Sequence, residues 1–214
     1  MARIKAILFD LDGVLVDATE WHYEALNRAL HLFGFDITRY EHLSAYNGLP
    51  TRKKLEMLSV EKKLPSALHA LISHLKQIYT NDEIRARCHP VFEKEYMLSR
   101  LKSEGFRLAV CSNAIRDSVE LMIRQSGLYD YFELVLSNED VVRPKPDPEI
   151  YTKAIMRLSL KPEEVVIVED APHGIEAARR SGGNICQVAG FSEVEYFKLK
   201  SAIEKAEQKV GGKV

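Results

Sequence analysis

The chain has 214 residues, of which 46% are hydrophobic and 29% are charged, and its formal net charge is −1. This composition is typical of a globular protein that buries a core. The balanced charge does not favour a protein that binds nucleic acids or membrane surfaces. No apolar run approaches the roughly 20 residues of a bilayer span, and the N-terminal residues do not resemble a signal peptide. We therefore expect no nucleic-acid partner and no membrane partner.

The cysteines of the chain are few and scattered. They are Cys88, Cys111 and Cys186, a set that forms neither a disulfide framework nor a Cys-x-x-Cys metal site. Free thiols of this kind suit a reducing compartment. We therefore expect a cytoplasmic protein, and the sequence leaves its oligomeric state open.

Short apolar runs alternate with helical patterns along most of the chain. The runs that predict strands are residues 4–9, 106–111, 134–136, 165–168 and 185–188. Short, largely apolar runs of this kind are typical of strands buried on both faces of a parallel sheet. The helical patterns between and after them cover residues 93–104, 118–126, 147–158 and 172–181. This alternation predicts an α/β fold with a doubly wound, Rossmann-like parallel sheet.

One long stretch between the first two predicted strands contains only helical patterns. They cover residues 19–33, 52–58 and 66–79. An ordinary crossover needs about a dozen or more residues, so this stretch is too long to be one. We predict a small all-helical cap domain at residues 17–87, inserted after the first strand of a core formed by residues 1–16 and 88–214.

Reactive side chains follow the ends of the predicted strands, where ligands bind in doubly wound sheets. They are Asp10 and Asp12 after the first strand, Ser112 and Asn113 after the second, Lys145 in the loop after the third, and Glu169 and Asp170 after the fourth. Carboxylate oxygens suit Mg²⁺, and a carboxylate can also attack phosphorus as a nucleophile. A lysine and a metal ion would offset the repulsion between that carboxylate and a phosphate. The set therefore predicts phosphoryl transfer.

The positions of the carboxylates suggest different roles for them. Asp10 and Asp170 are candidate Mg²⁺ ligands, and Asp12 is placed to act as a general acid and base if the strand has ended before it. Gly13 would allow a sharp turn there, and the Ser112 hydroxyl could hold a phosphoryl oxygen. Taken singly, each carboxylate could also be a helix cap or a turn former.

These residues resemble the motifs of the haloacid dehalogenase superfamily. The four motifs are residues 10–14 (Asp-Leu-Asp-Gly-Val), Ser112, Lys145 before Pro-Asp-Pro, and Glu169-Asp170, in the family's order and with the family's cap insertion after the first strand. The resemblance implies that Asp10 is the nucleophile and a Mg²⁺ ligand, and that Asp12 is the general acid and base with its main-chain carbonyl also on the metal. It implies that Ser112 and Lys145 hold the phosphoryl group. Asp170 would ligate the metal, and Glu169 would be a further ligand or the partner of one.

Within that superfamily the chain resembles β-phosphoglucomutases and phosphoglycolate phosphatases. The resemblance implies that His22 lies near the acid–base residue and that Arg52 binds a second phosphate or a carboxylate of the substrate. His22 could equally be an ordinary residue of an amphipathic helix, and Arg52 part of a solvated basic run. At residues 114–115, Ala-Ile stands where β-phosphoglucomutase carries serine and lysine, and Lys76 is out of register with that enzyme's cap lysine.

The sequence thus predicts Mg²⁺-dependent hydrolysis of a phosphate monoester through an aspartyl phosphate on Asp10, with a small phosphorylated metabolite as substrate. A phosphosugar mutase is the alternative enzyme, and it would isomerise a sugar phosphate. The non-enzymatic alternatives are a receiver-like phosphoacceptor domain, which would keep a stable aspartyl phosphate, and a binding module. The identity of the substrate is left open.

Overall fold

The sheet predicted from the apolar runs is present in the computed structural model, which describes residues 3–211. Within that range five parallel strands are ordered β3-β2-β1-β4-β5. They are β1 (Ala6–Phe9), β2 (Arg107–Cys111), β3 (Leu134–Leu136), β4 (Val165–Glu169) and β5 (Asn184–Gln187). β1 is central because it pairs with both β2 and β4. The predicted Rossmann-like α/β fold is confirmed.

Helices connect the strands and supply the rest of the regular structure. In chain order they are α1 (Thr19–His31), α2 (Arg39–Glu41), α3 (Thr51–Glu61), α4 (His69–Arg87), α5 (Phe92–Ser103), α6 (Arg116–Gln125), α7 (Glu149–Arg157), α8 (Pro172–Ser181) and α9 (Tyr196–Gly211). The helix α8 begins with a proline, which is tolerated in the first turn, and it ends at Gly182, whose φ of 82° suits a glycine C-cap. Over residues 3–211, none of these helices has both the length and the apolar character needed to cross a membrane.

The chain divides into two compact units. One unit contains the sheet and comprises the chain up to Asp17 and from His89 onward, and the other is Ala18–Cys88. The boundaries predicted from the sequence fall one residue before each of these divisions. One part of the core of the first unit lies where α7 and α8 pack on the strands, and there Ile150 and Ala177 join Leu8 and Ile167 in one buried cluster.

The second unit has no strand among residues 18–88, all of which are described. Its apolar cluster is formed by side chains of α1, α3 and α4, such as Leu30, Leu55 and Ile72. Asn27 of α1 is buried in this unit, and it donates to the Ile37 carbonyl and accepts from the Ile37 amide, both at 2.8 Å. Both the nitrogen and the oxygen of this buried amide are therefore hydrogen-bonded, and they hold the chain after α1.

The helix α4 extends well beyond the range predicted from the sequence. The periodicity predicts a helix over residues 66–79, whereas a short 3₁₀ turn at Ser66–Leu68 is followed by α4, which continues to Arg87. The buried positions of α4 are Ile72, Lys76, Thr80 and Ile84. Two of these are polar, so the apolar period fades before the helix ends.

Candidate active site

The ends of β1 and β4 bring three carboxylates together. Phe9 pairs with Val168, and the Asp10 amide donates to the Val168 carbonyl at 3.0 Å, so Asp10 and Glu169 leave neighbouring strands at the same level. One carboxylate oxygen each from Asp10, Glu169 and Asp170 lies within 4.8 Å of the other two. Carboxylates at this separation repel one another unless a cation lies among them.

Lys145 supplies one positive charge to this cluster. Its Nζ donates to Asp10 Oδ1 at 2.8 Å and to Glu169 Oε1 at 2.6 Å, and the residue is 4% exposed. Burial alone would lower the pKa of Lys145, but the charges of Asp10 and Glu169 outweigh burial and raise it. The lysine is therefore a permanent cation beside the proposed nucleophile.

Asn113 holds the loop that carries Lys145. The Lys145 amide donates to Asn113 Oδ1 at 3.0 Å, and Asn113 Nδ2 donates to the Lys145 carbonyl at 3.4 Å. Because Asn113 binds both main-chain groups of Lys145, the position of the Lys145 backbone is fixed, and with it the base of the side chain. The structure thus brings Asn113 into the site through the backbone of Lys145.

The carboxylates still lack positive charge after Lys145 is counted. Burial, followed by the charge of Asp10, raises the pKa of both Glu169 and Asp170 to about 7. Burial also raises the pKa of Asp10, although Lys145 opposes the change. Within the described part of the chain, the buried atoms Glu169 Oε2 and Asp170 Oδ1 have no hydrogen-bond partner. Hard anionic oxygens left unsatisfied in this way fit a divalent cation such as Mg²⁺.

The turn after β1 places Asp12 beside the same cluster. The Leu11 carbonyl accepts hydrogen bonds from the amides of the turn, and the charge of half-buried Asp12 contributes to the raised pKa of Asp10 and Asp170. Gly13 has a φ of 79°, and a Cβ at Gly13 would lie 2.2 Å from Asp170 Oδ2. Glycine is therefore required both for the turn and for the space that Asp170 occupies.

Ser112 lies at the end of β2, the strand on the other side of β1. It is fully buried, its amide donates to the Leu136 carbonyl at 3.0 Å, and its Oγ accepts from the Ala114 amide at 3.0 Å. The hydroxyl thus orders the loop that begins here. Its own proton is not used in this contact and is available for a further acceptor.

Two residues that touch the cluster were not identified from the sequence. The hydroxyl of Tyr151 in α7 donates to Glu169 Oε1, and a Cβ at Gly174 in α8 would lie 2.0 Å from the same oxygen. In the helix predicted over residues 147–158, Tyr151 falls on the same face as Ile150, Ala154 and Ile155, where a tyrosine is usually packing. The available signal was its hydroxyl, which needs a partner when the ring is buried.

The cap unit contains buried basic side chains of its own. Lys54 and Lys76 are 5% and 8% exposed and His42 is fully buried, and Lys76 Nζ lies 3.1 Å from His22 Nδ1. Neither ring nitrogen of His42 has a hydrogen-bond partner within residues 3–211. We call His22, His42, Lys54 and Lys76 the cap basic cluster. Arg52 is not part of it, since its side chain is 90% exposed and pairs with Glu56 at 3.0 Å.

Comparison with known proteins assigns the family. A model of the haloacid dehalogenase-like hydrolase family matches residues 7–188, which is most of the chain and includes every motif residue named above. The chain belongs to the haloacid dehalogenase-like hydrolase family. The family resemblance seen in the sequence is therefore confirmed, and so is the prediction of an enzyme of the phosphatase type.

Relatives of this haloacid dehalogenase-like hydrolase are named as phosphatases. The chain is 29% identical over 188 residues to pyrophosphatase PpaX of Bacillus velezensis, covering 87% of this chain and 84% of that protein. It is 30% identical over 200 residues to phosphoglycolate phosphatase of Aquifex aeolicus, covering 94% of this chain and 90% of that protein. The crystal structure of β-phosphoglucomutase from Clostridium difficile matches with a TM-score of 0.80 and 21% identity, covering 94% of this chain and 98% of that one. The last likeness shows a shared fold.

Among the residues of this hydrolase, His42 gives a prediction for the dependence of stability on pH. Burial, followed by the positive charges of Lys54 and His22, lowers the pKa of His42 to about 4. Because the folded pKa is below that of the unfolded chain, the contribution of His42 is present above about pH 6.5 and is lost as the pH falls toward about 4. When the pH is lowered from 7 to 5, the free energy of unfolding should decrease in both proteins. We expect the decrease to be smaller in His42→Phe than in the wild type, by on the order of 1 to 2 kcal/mol.

The measurement is urea unfolding at each pH, followed by the fluorescence of Trp21, which is the single tryptophan of the chain and lies in the cap. The control is His31→Phe, since His31 is exposed on the same helix as Trp21. This control should lose as much stability as the wild type over the same pH interval. Equal losses in His42→Phe and the wild type would contradict the prediction.

Proposed function

We propose that this hydrolase cleaves a phosphate monoester of a small metabolite, with Mg²⁺ as cofactor and Asp10 as the carrier of the phosphoryl group. The observation that carries the proposal is the position of the Asp10 carboxylate. It is bound by the Lys145 ammonium at 2.8 Å and clustered with the carboxylates of Glu169 and Asp170. A nucleophile, a permanent cation and a set of metal ligands are the parts that phosphoryl transfer through a carboxylate requires.

Asp10, Asp170 and the main-chain carbonyl of Asp12 would hold the metal ion, with Glu169 as a further ligand or as the partner of one. The buried oxygens Glu169 Oε2 and Asp170 Oδ1 have no hydrogen-bond partner within residues 3–211, which supports this assignment. When bound, Mg²⁺ would neutralise negative charge on the phosphoryl oxygens.

The proposed chemistry uses the side chains of this chain in two steps. A carboxylate oxygen of Asp10 forms a bond to phosphorus, the bond to the leaving oxygen breaks, and Asp12 gives its proton to that oxygen. Asp12 then takes a proton from water, the water oxygen forms a bond to phosphorus, and the bond between phosphorus and the Asp10 oxygen breaks, which releases inorganic phosphate and restores the Asp10 carboxylate. Lys145 and Ser112 hold the phosphoryl oxygens, and Asn113 keeps the Lys145 loop in place.

We propose that the cap basic cluster binds an anionic part of the substrate that is not transferred. After burial, the positive charges of Lys54, His22 and Lys76 all act to lower the pKa of His42, and an anionic group would offset this repulsion among basic side chains. His22 keeps the substrate-binding role expected from the sequence, and Lys54 and Lys76 join it. The exposed position of Arg52 gives that residue less support than His22. The names of the relatives, which denote pyrophosphate and phosphoglycolate, both describe substrates with a second anionic group.

A cytoplasmic setting also belongs to this proposal. The thiols of Cys88, Cys111 and Cys186 are buried and form no disulfide with one another. Thiols that form no disulfide suit a reducing compartment. Localisation of the tagged protein in its host tests this point. Recovery from an extracytoplasmic fraction would contradict it.

The test of function is release of inorganic phosphate from a panel of small phosphorylated metabolites, with Mg²⁺ and with a chelator. The panel contains monoesters with and without a second phosphate or carboxylate. We expect Mg²⁺-dependent release that is fastest for compounds with the second anionic group. Release that persists in chelator would contradict the cofactor, and equal rates for both kinds of compound would contradict the role of the cap basic cluster.

A phosphosugar mutase remains a second candidate because of one contact in the cap. Lys76, which the sequence analysis found out of register with the mutase lysine, lies beside His22 at 3.1 Å, and a second phosphate would suit a basic cluster of this kind. The same panel distinguishes the two enzymes if hexose phosphates are also analysed for isomers. Isomerised sugar phosphate without net phosphate release would favour the mutase.

A further inference from the structure

Tyr151 is a fully buried tyrosine whose hydroxyl reaches the carboxylate cluster. The residue belongs to the buried cluster that α7 forms with the sheet, together with Ile150, Ala154 and Ile155. In such surroundings an unpartnered hydroxyl would be costly, and its partner is Glu169 Oε1. The ring packs in the buried cluster, and the hydroxyl donates a hydrogen bond to Glu169.

The two oxygens of Glu169 have different surroundings. Oε1 accepts from Lys145 Nζ at 2.6 Å and from the Tyr151 hydroxyl, whereas Oε2 is buried with no partner within the described residues. The carboxylate is therefore divided. One oxygen is committed to the protein and the other is left for a ligand from outside.

The helix α8 packs against the Glu169 carboxylate. A Cβ at Gly174 would lie 2.0 to 2.2 Å from the atoms of this carboxylate, a separation that real side chains do not tolerate. The carboxylate thus rests against the backbone of α8 while Tyr151 and Lys145 bind its Oε1. Its orientation is set from both sides.

Tyr151 also bears on Lys145, because both donate to the same oxygen. The lysine divides its hydrogen bonds between Glu169 Oε1 and Asp10 Oδ1, and its Nζ lies 4.8 Å from the centre of the Tyr151 ring. With the hydroxyl absent, Lys145 would be the remaining donor on Oε1 and Glu169 would lose one of the contacts that fix its orientation. Either change alters the charge presented to Asp10.

We propose that Tyr151 is a positioning residue of the phosphoryl-transfer site, which holds Glu169 so that Oε2 faces the cation and Lys145 stays on Asp10. This inference rests on the proposed function. Tyr151 does not touch the reacting atoms and acts through Glu169. Residues that orient metal ligands in this way typically change metal affinity or activity by about 10- to 100-fold when mutated.

The test is Tyr151→Phe, which removes one oxygen and keeps the ring. Calorimetric titration of the substrate-free protein with Mg²⁺ should give an affinity weaker than that of the wild type by about 10-fold. In steady-state assays kcat should fall by a similar factor while KM for the substrate changes less than about twofold. The control is Tyr46→Phe, since Tyr46 is also buried and also donates to a glutamate, Glu61, in the cap. It should leave both the Mg²⁺ affinity and kcat unchanged.

A double-mutant cycle separates a positioning role from a general loss of stability. In a Glu169→Gln background, Tyr151→Phe should weaken Mg²⁺ binding no further, because the residue through which it acts has already been altered. An equal loss in both backgrounds would overturn the inference, as would Mg²⁺ affinity and kcat within twofold of the wild type. The calorimetric result does not depend on turnover, so a wild-type protein that binds Mg²⁺ but hydrolyses nothing would defeat the proposed function and leave this test intact.

Discussion

Asp10→Asn is expected to lower phosphate release by roughly four orders of magnitude or more, the range seen when a nucleophile is removed. The amide keeps the shape of the carboxylate and can still accept a hydrogen bond from Lys145, so the fold should survive. The amide cannot form a stable bond to phosphorus, and it is a poorer metal ligand. The measurement is phosphate release with the best substrate of the panel, at saturating Mg²⁺.

The matched control for this change is Asp17→Asn, because Asp17 is exposed near the end of the same segment. It should keep full activity. Both variants should have the circular dichroism spectrum of the wild type, so that lost activity is not lost structure. Substantial turnover by Asp10→Asn would end the mechanism proposed for this site.

Asp12→Asn is expected to lower kcat by about 10² to 10⁴-fold, the usual contribution of a general acid and base. The effect should differ between the two steps. A leaving group of low pKa, such as 4-nitrophenol, departs without a proton, so Asp10 should still be phosphorylated. Water then lacks its base, and the phosphorylated protein should accumulate.

The accumulation is measured as a burst of 4-nitrophenol of about one equivalent per protein, and as a phosphoryl adduct in intact-protein mass spectrometry. The adduct should be absent when Asp10→Asn is combined with Asp12→Asn. An adduct in that double variant would mean that another residue accepts the phosphoryl group. Steady-state turnover of Asp12→Asn at the wild-type rate would show that Asp12 is not the acid and base.

The strands were predictable because each contains a short apolar run, and β1 and β4 are buried at every position. Even β3, with three residues (Leu134–Leu136), is recognisable from its composition. The order of the strands was not predictable from these runs, since pairing depends on contacts between distant segments. The end of α4 was missed for a different reason: Lys76 and Thr80 lie on its buried side, where the pattern demands apolar residues.

The residues of the candidate site also fall into two groups, those that could be predicted from the sequence and those that could not. Asp10, Lys145, Glu169 and Asp170 could be grouped from the sequence because parallel strands bring the residues at their carboxyl ends to one edge. Tyr151 could not, since a tyrosine on an apolar helix face is usually packing. Lys54 and His42 could not either, because a lysine or histidine in an amphipathic helix is ordinarily assigned to the solvent side.

The central position of β1 has a consequence for the order of folding. Asp10 and Lys145 are 135 residues apart in the chain, and the cap unit Ala18–Cys88 lies between them. Contacts of such separation form late, because loop-closure entropy must be overcome before they contribute. The cap gathers its core from nearer segments, so a nascent or refolding chain would complete its cap before β2 and β4 flank β1. Catalytic competence would then be among the last properties that the folding molecule acquires.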